Sequence, residues 1–187
     1  PNRQAGVYHN QYAGGVGLAI ESDGPATVTI YATKFDHNRA SADAYYLGSN
    51  YHHHISGGAV YIANSGSGTS GTTGNIAGSE FISNSVSGTS GKSQGGAVHF
   101  GGLSGGNITG SLFDRNPAIS QWEEARGGSV SVHSDQIARN TPTLSAHTFR
   151  NNNVPGELPY GASVFTKHPP LFHRDNSHNH HVLPSHR

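Results

Sequence analysis

Two short patterns of apolar and polar positions alternate along this chain. The first reads Gly-Gly-small-apolar-x-apolar. It occurs at Gly57–Ile62, Gly95–Phe100 and Gly127–Val132, with weaker copies at Gly15–Ile20 and Gly161–Thr166. The second reads Ile/Leu-x-x-x-x-Phe-x-x-Asn and gives Ile30/Phe35/Asn38, Ile76/Phe81/Asn84, Ile108/Phe113/Asn116 and Leu144/Phe149/Asn152. Apolar residues two apart, such as Val60 and Ile62, Val98 and Phe100, or Val130 and Val132, face one way on an extended chain. The first pattern therefore predicts half-buried strands. The two patterns interleave strictly, with slack taken up in Gly/Ser/Thr stretches such as Ser65–Gly74.

The repetition is closest where Gly74–Asn84 aligns with Gly106–Asn116 at an offset of 32, with seven of eleven positions identical. The same offset carries Gly95-Gly96-Ala97-Val98 onto Gly127-Gly128-Ser129-Val130. Strands this short gain stability when successive turns of chain stack in parallel, about 4.8 Å apart, so that inner faces merge into one core. The glycine pairs Gly57-Gly58, Gly95-Gly96 and Gly127-Gly128 suit a corner that needs positive φ or has no room for a Cβ. Asn84, Asn116 and Asn152 suit a second corner, where amides of successive copies hydrogen-bond to one another. The fold expected is all-β, a single-stranded parallel β-helix. Counting one coil per motif copy gives about nine coils and a length of roughly 40 Å.

Alternating Gly-Gly-Ala-Ile/Val and Phe-x-x-Asn motifs resemble the polymorphic outer membrane protein repeats first recognised in chlamydiae. Gly57–Val60 with Phe81–Asn84, and Gly95–Val98 with Phe113–Asn116, match that pattern fully, while the copies at Gly15 and Gly161 are degraded. The resemblance covers roughly residues 14–165. It implies a right-handed parallel β-helix on an extracellular or surface-exposed protein, often an adhesin. The outer-membrane barrel that some members carry has no counterpart in this sequence.

Composition agrees with a β-protein rich in turns. Leu, Ile, Val and Phe make up only about 19% of the 187 residues, while Gly, Ser, Asn and Thr make up about two-fifths. Eleven basic residues balance eleven acidic ones, so disorder driven by net charge is not expected, nor is a basic face for nucleic acid. Helix formers are scarce and no apolar run is long enough to span a bilayer. Absence of Cys removes disulfides and thiolate metal sites. Pro1 and the absence of Met are expected of a processed chain or a segment of a longer one. The organisation read from these features is an N-terminal flank (1–13), a parallel β-helix (14–167) and a Pro/His-rich tail (168–187), held against the helix or a neighbouring chain.

Candidate chemistry is sparse. Gly66-Ser-Gly68-Thr-Ser-Gly71 spells a dinucleotide-binding pattern, but Thr-Thr-Gly-Asn-Ile follows and opens a strand where a phosphate site needs a helix. The chain holds 14 His. His178, His180 and His181 are the candidate metal ligands. In the His52–His54 triple no carboxylate stands at ligand spacing and consecutive strand residues point to opposite faces, so surface histidines are the simpler reading and no metal or other cofactor is expected. A glycosidase needs two carboxylates within about 9.5 Å. Asp36 and Asp114 share one repeat position, but at one coil per motif they are four coils, roughly 19 Å, apart. Glu123 and Glu124 are expected on an outer loop beside Arg126 and Trp122, the candidate glycan contact. Asn107 opens the sequon Asn107-Ile-Thr109, a candidate glycosylation site. Ice binding would need ranks of Thr-x-Thr, of which only Thr27-Val-Thr29 and Thr141-Pro-Thr143 occur.

The expectation is a non-catalytic extracellular or cell-surface β-helix, a structural or adhesive module within a larger assembly. Self-association or other surface proteins are its expected partners, with glycans also considered and nucleic acid excluded. The alternative is a polysaccharide-binding or polysaccharide-degrading β-helix. A concave, acid-lined groove would favour the enzyme; a flat Ser/Thr/Asn/Gly flank would favour assembly.

Overall fold

In a computed structural model, the residues described are 12–14, 17–42, 54–66, 71–89, 91–134, 143–166, 171–173 and 176–177. Among them there is no helix, and 22 strands form four sheets in which every pairing is parallel. The chain is a β-solenoid of about four to five coils. Each coil passes four faces in turn.

The Gly-Gly motif makes the first face, with strands Leu18–Ser22, Val60–Asn64, Val98–Gly102, Val130–Ser134 and Val164–Thr166. The isoleucine face follows, with Thr27–Tyr31, Thr73–Ala77, Gly105–Thr109, Thr143–Ser145 and Leu171–His173. Next comes the phenylalanine face of Lys34–Asp36, Glu80–Ile82, Leu112–Asp114, Thr148–Arg150 and Asn176–Ser177. The fourth face comprises Tyr12–Gly14, Arg39–Ala42, His54–Ser56, Ser85–Gly88, Lys92–Gln94, Ala118–Arg126 and Gly156–Tyr160. Leu171–His173 and Asn176–Ser177 carry part of the Pro/His-rich tail onto the last coil, pairing with Thr143–Ser145 and Thr148–Arg150.

The expected nine coils are thereby corrected to about half that number. The Gly-Gly and Phe-x-x-Asn motifs are two faces of one coil, not two coils. The 32-residue offset is a full circuit, pairing Val98 with Val130, while Ile76 pairs with Ile108 and Phe81 with Phe113 across that same separation. The axial length is therefore roughly 20 Å.

The core follows from in-register stacking. Val60, Val98, Val130 and Val164 form one buried column, and Ile30, Ile76, Ile108 and Leu144 another. Between them Phe100 fills the space left by Gly74, where a Cβ would come within 2.6 Å of the ring. Phe35, Phe81, Phe113 and Phe149 stack at centroid separations of 4.8–5.0 Å. A smaller cluster of Ala40, Ile55, Val86 and Ala118 lines the fourth face.

Two corners explain the motif residues. Gly95 has φ +68°, and a Cβ there would lie 2.1 Å from the Val98 carbonyl oxygen. Gly96 is barred from a side chain for another reason: its Cβ would sit 2.0 Å from the Gly128 carbonyl oxygen of the next coil. In the last copy the second position is Ala162, and no described coil stacks beyond it. At the other corner the residue before each Asn is left-handed: His37, Ser83, Arg115 and Asn151, at φ 54–56°. The Asn side chain then bridges coils. Asn116 Oδ1 accepts from the Asn84 backbone N–H at 2.9 Å and from Asn84 Nδ2 at 3.1 Å, while its own Nδ2 donates to the Phe81 carbonyl at 2.9 Å and to Asn152 Oδ1 at 3.1 Å. Buried backbone groups at a sharp turn are satisfied in this way.

Candidate functional site

The outer surface carries a concavity of about 400 Å³. It lies where the fourth face meets the Gly-Gly face at the glycine corner. One wall comes from His54 and Ser56 and, one coil on, Lys92 and Gln94. The other comes from Tyr61, Ala63 and Asn64 and their register partners His99, Gly101 and Gly102. Its depth has a simple origin. Along the column Glu21–Ala63–Gly101–His133, the two middle coils carry the smallest side chains and the outer two close the ends.

Outward-facing residues are consequently well covered here. Ser56, Gln94, Tyr61 and His99 are all buried, His99 to 4% exposure. The Tyr61 and His99 rings stack along the axis at 5.7 Å and 7°. Because Gly101 has no side chain, the Nε2 edge of His99 borders the cavity; a Cβ at Gly101 would lie 3.1 Å from it. His99 Nδ1 has no hydrogen-bond partner among the described residues. Desolvation, reinforced by His133, His54 and Arg126, pushes the His99 pKa down to about 3, so this ring is neutral across ordinary pH.

Charge beside the cavity is internally compensated. Glu124 accepts from Lys92 Nζ at 3.1 Å and from Arg126, whose guanidinium also donates to His133 Nδ1 at 3.1 Å and covers the Phe165 ring at 4.9 Å. Burial pushes the Glu124 carboxyl up, but Lys92 and Arg126 outweigh it and hold the group below the usual carboxylate range. Glu124 is not on a loop, as expected, but on the nine-residue strand Ala118–Arg126, which joins two strand columns of the fourth face.

The other carboxylates require a second correction. Asp36 and Asp114 are two coils apart, not four, with Ile82 between them in register. Their backbones are thus about 10 Å apart and distance alone no longer separates them. Their partners do. Asp36 is paired with Lys34 at 2.9 Å and with His37, and hydrogen bonding from Lys34 and His37 lowers its pKa. Asp114, buried, faces Arg115 at 3.3 Å, Arg150 at 3.2 Å and Asn151 at 3.1 Å.

The remaining candidates are dispersed. Asn107 is exposed on the isoleucine face, its Nδ2 donating to Asn75 at 3.3 Å. Trp122 lies on Ala118–Arg126, with its side chain outside the described residues, as are Glu123's side chain and His52, His53, His178, His180 and His181. Of the Gly66–Gly71 loop, 67–70 also lie outside them, and the strand Thr73–Ala77 follows. Among the described residues no group of three His, Cys, Asp or Glu side chains could hold a metal, and no helix is long and apolar enough to cross a membrane. The cavity itself was not legible from the motifs. The signal for it was the pair Ala63 and Gly101 at outward positions, readable only once the coil register is known.

The class defined by this architecture is the parallel β-solenoid. Comparisons with protein-family models, curated proteins and solved structures find no match to the chain.

Proposed function

We propose that this chain is a non-catalytic, extracellular or surface-exposed β-solenoid of the polymorphic outer membrane protein repeat type, serving as a structural and adhesive module of a larger assembly. The observation that carries the reading is the outer isoleucine face. There Thr29, Asn75, Asn107 and Thr143 stand in register as a column of small uncharged polar side chains, beside Ala77, Thr109 and Ser145. Tyr31, 73% exposed, stands at the first-coil end of the second column. Small polar groups without long side chains lose little entropy on meeting another surface. The paired states of Asp36, Asp114 and Glu124 support the non-catalytic half of the reading.

Sedimentation velocity over a wide concentration range tests assembly. Association is expected, and Asn75→Lys with Asn107→Lys should abolish it without lowering the melting temperature. A monomer at every concentration, or association indifferent to both lysines, refutes the assembly reading. Release of products from common glycans, lost on changing Asp114 or Glu124, refutes the non-catalytic one.

A further inference from the structure

We propose that the cavity at the glycine corner binds an uncharged saccharide ring. The proposal rests on the reading of this chain as a binding module rather than an enzyme, and names what one of its surfaces holds. Size is the first argument: about 400 Å³ falls within the range of small-molecule sites, with Glu21 at one end and His133 at the other. The chemistry of the lining is the second. A pyranose presents hydroxyls at its edge and C–H groups on its faces. The pocket sets the hydroxyl of Ser56 and the amide of Gln94 around an apolar patch formed by the Tyr61 ring, Ala63 and Gly101, while the Asn64 amide beside them is held by the Gly24 carbonyl, Thr72 and the Gly66 N–H.

Charge is the third argument. Lys92 and Arg126 share Glu124, and Glu21 stands at the opposite end, so no unbalanced cluster waits for an ionic ligand. At the floor, the imidazole of His99 offers a neutral ring nitrogen beside Gly101. A buried set of uncharged donors and acceptors discriminates well, because a ligand lacking the matching hydroxyls leaves those groups unpaired. His54 and His133 flank the pocket.

Titration calorimetry with the intact chain at pH 7.5 tests the assignment, using chitohexaose, cellohexaose and mannohexaose as neutral probes and hexagalacturonate as the charged one. At least one neutral probe should bind saturably. Gly101→Leu and Ala63→Leu, which fill the pocket from its floor, should each weaken binding at least tenfold, whereas Glu80→Ala, exposed on the phenylalanine face, should leave it unchanged. In the unsubstituted protein, the ring proton resonances of Tyr61 and His99 should shift along the titration. Failure of every neutral probe, tighter binding of hexagalacturonate, unmoved Tyr61 and His99 resonances, or full affinity in both folded pocket-filling variants overturns the proposal. Cleavage of a bound probe would instead sink the non-catalytic reading while leaving the pocket assigned.

Discussion

Replacing Asn116 by Ala removes four buried hydrogen bonds at once. Two are donated by Nδ2, to the Phe81 carbonyl and Asn152 Oδ1, and two are accepted by Oδ1, from the backbone and side chain of Asn84. The Asn116 backbone N–H keeps its own bond to Asn152 Oδ1, so the next coil stays attached. At a net of about 1 kcal/mol per bond, with the Asn84 N–H left buried, the loss should be about 4 kcal/mol. Asn38→Ala, in the first coil, deletes only the 2.8 Å donation from Asn38 Nδ2 to Asn84 Oδ1 and should lose about 1 kcal/mol. Urea titrations followed by far-ultraviolet circular dichroism give both values from the midpoints, provided the slope is unchanged. Asn116→Asp sharpens the test. It keeps the two accepted bonds but turns a second acceptor toward the Phe81 carbonyl and Asn152 Oδ1. Burial and these acceptors disfavour the ionised form, so its folded-state pKa rises above the ordinary 3.9 or so. The penalty is then full at pH 7 and eases, relative to the unsubstituted protein, as pH falls through the raised value. Equal losses for Asn116→Ala and Asn38→Ala, or an Asp variant indifferent to acid, would refute the amide ladder as a source of stability.

Phe113→Ala, between Phe81 and Phe149 in the ring stack, should destabilise by roughly 3–5 kcal/mol, and Phe35→Ala at the half-buried end of the stack by about half as much, both read from urea midpoints. Gly96→Ala should lose more than about 3 kcal/mol or prevent folding, since its Cβ meets the Gly128 and Pro117 carbonyl oxygens at 2.0 and 2.4 Å. Gly78→Ala, left-handed but in open space, should lose only about 1 kcal/mol, as Ala32 and Ala146 hold a similar φ at the same corner. Because the folded-state pKa of His99 lies near 3, below its unfolded value, stability is fully present above about pH 6.5 and is lost as pH falls toward 3. By pH 5 the deficit should be about 2 kcal/mol, and melting temperatures of His99→Gln should decline less between pH 7 and 5 than those of the unsubstituted protein.

The strands were readable because in-register stacking forces one residue type to recur at one place. Phe35, Phe81, Phe113 and Phe149 must each lie flat on the next, and Asn38, Asn84, Asn116 and Asn152 must each bridge to the next, so selection for packing writes a visible repeat. The fourth face left no such mark. Its inward column Ile55–Ser93–Ala125 and outward column Ser56–Gln94–Arg126–Tyr160 change character at every coil. Without that face, a coil looked half its true length, and the coil count doubled. The error then carried into chemistry, placing Asp36 and Asp114 twice as far apart as they are. The cavity depends on Ala63 and Gly101 being small where Glu21 and His133 are not, a contrast between coils that no single motif contains.

The register also makes length a discrete variable. Successive phenylalanines of the stack are 46, 32 and 36 residues apart, yet each pairs with the next. Differences in spacing are absorbed where the chain leaves the faces, so the molecule can grow or shorten only by whole circuits. Excising 81–112 would join Glu80 to Phe113 and set Phe113 on Phe35 and Asn116 on Asn38, restoring both ladders in a shorter rod. Excising half as many residues would turn each later strand onto the wrong face, bringing the charged outer edge of one side against the apolar interior of another. A lineage built on this chain would therefore vary in steps of about 4.8 Å, like a stack to which discs are added or removed.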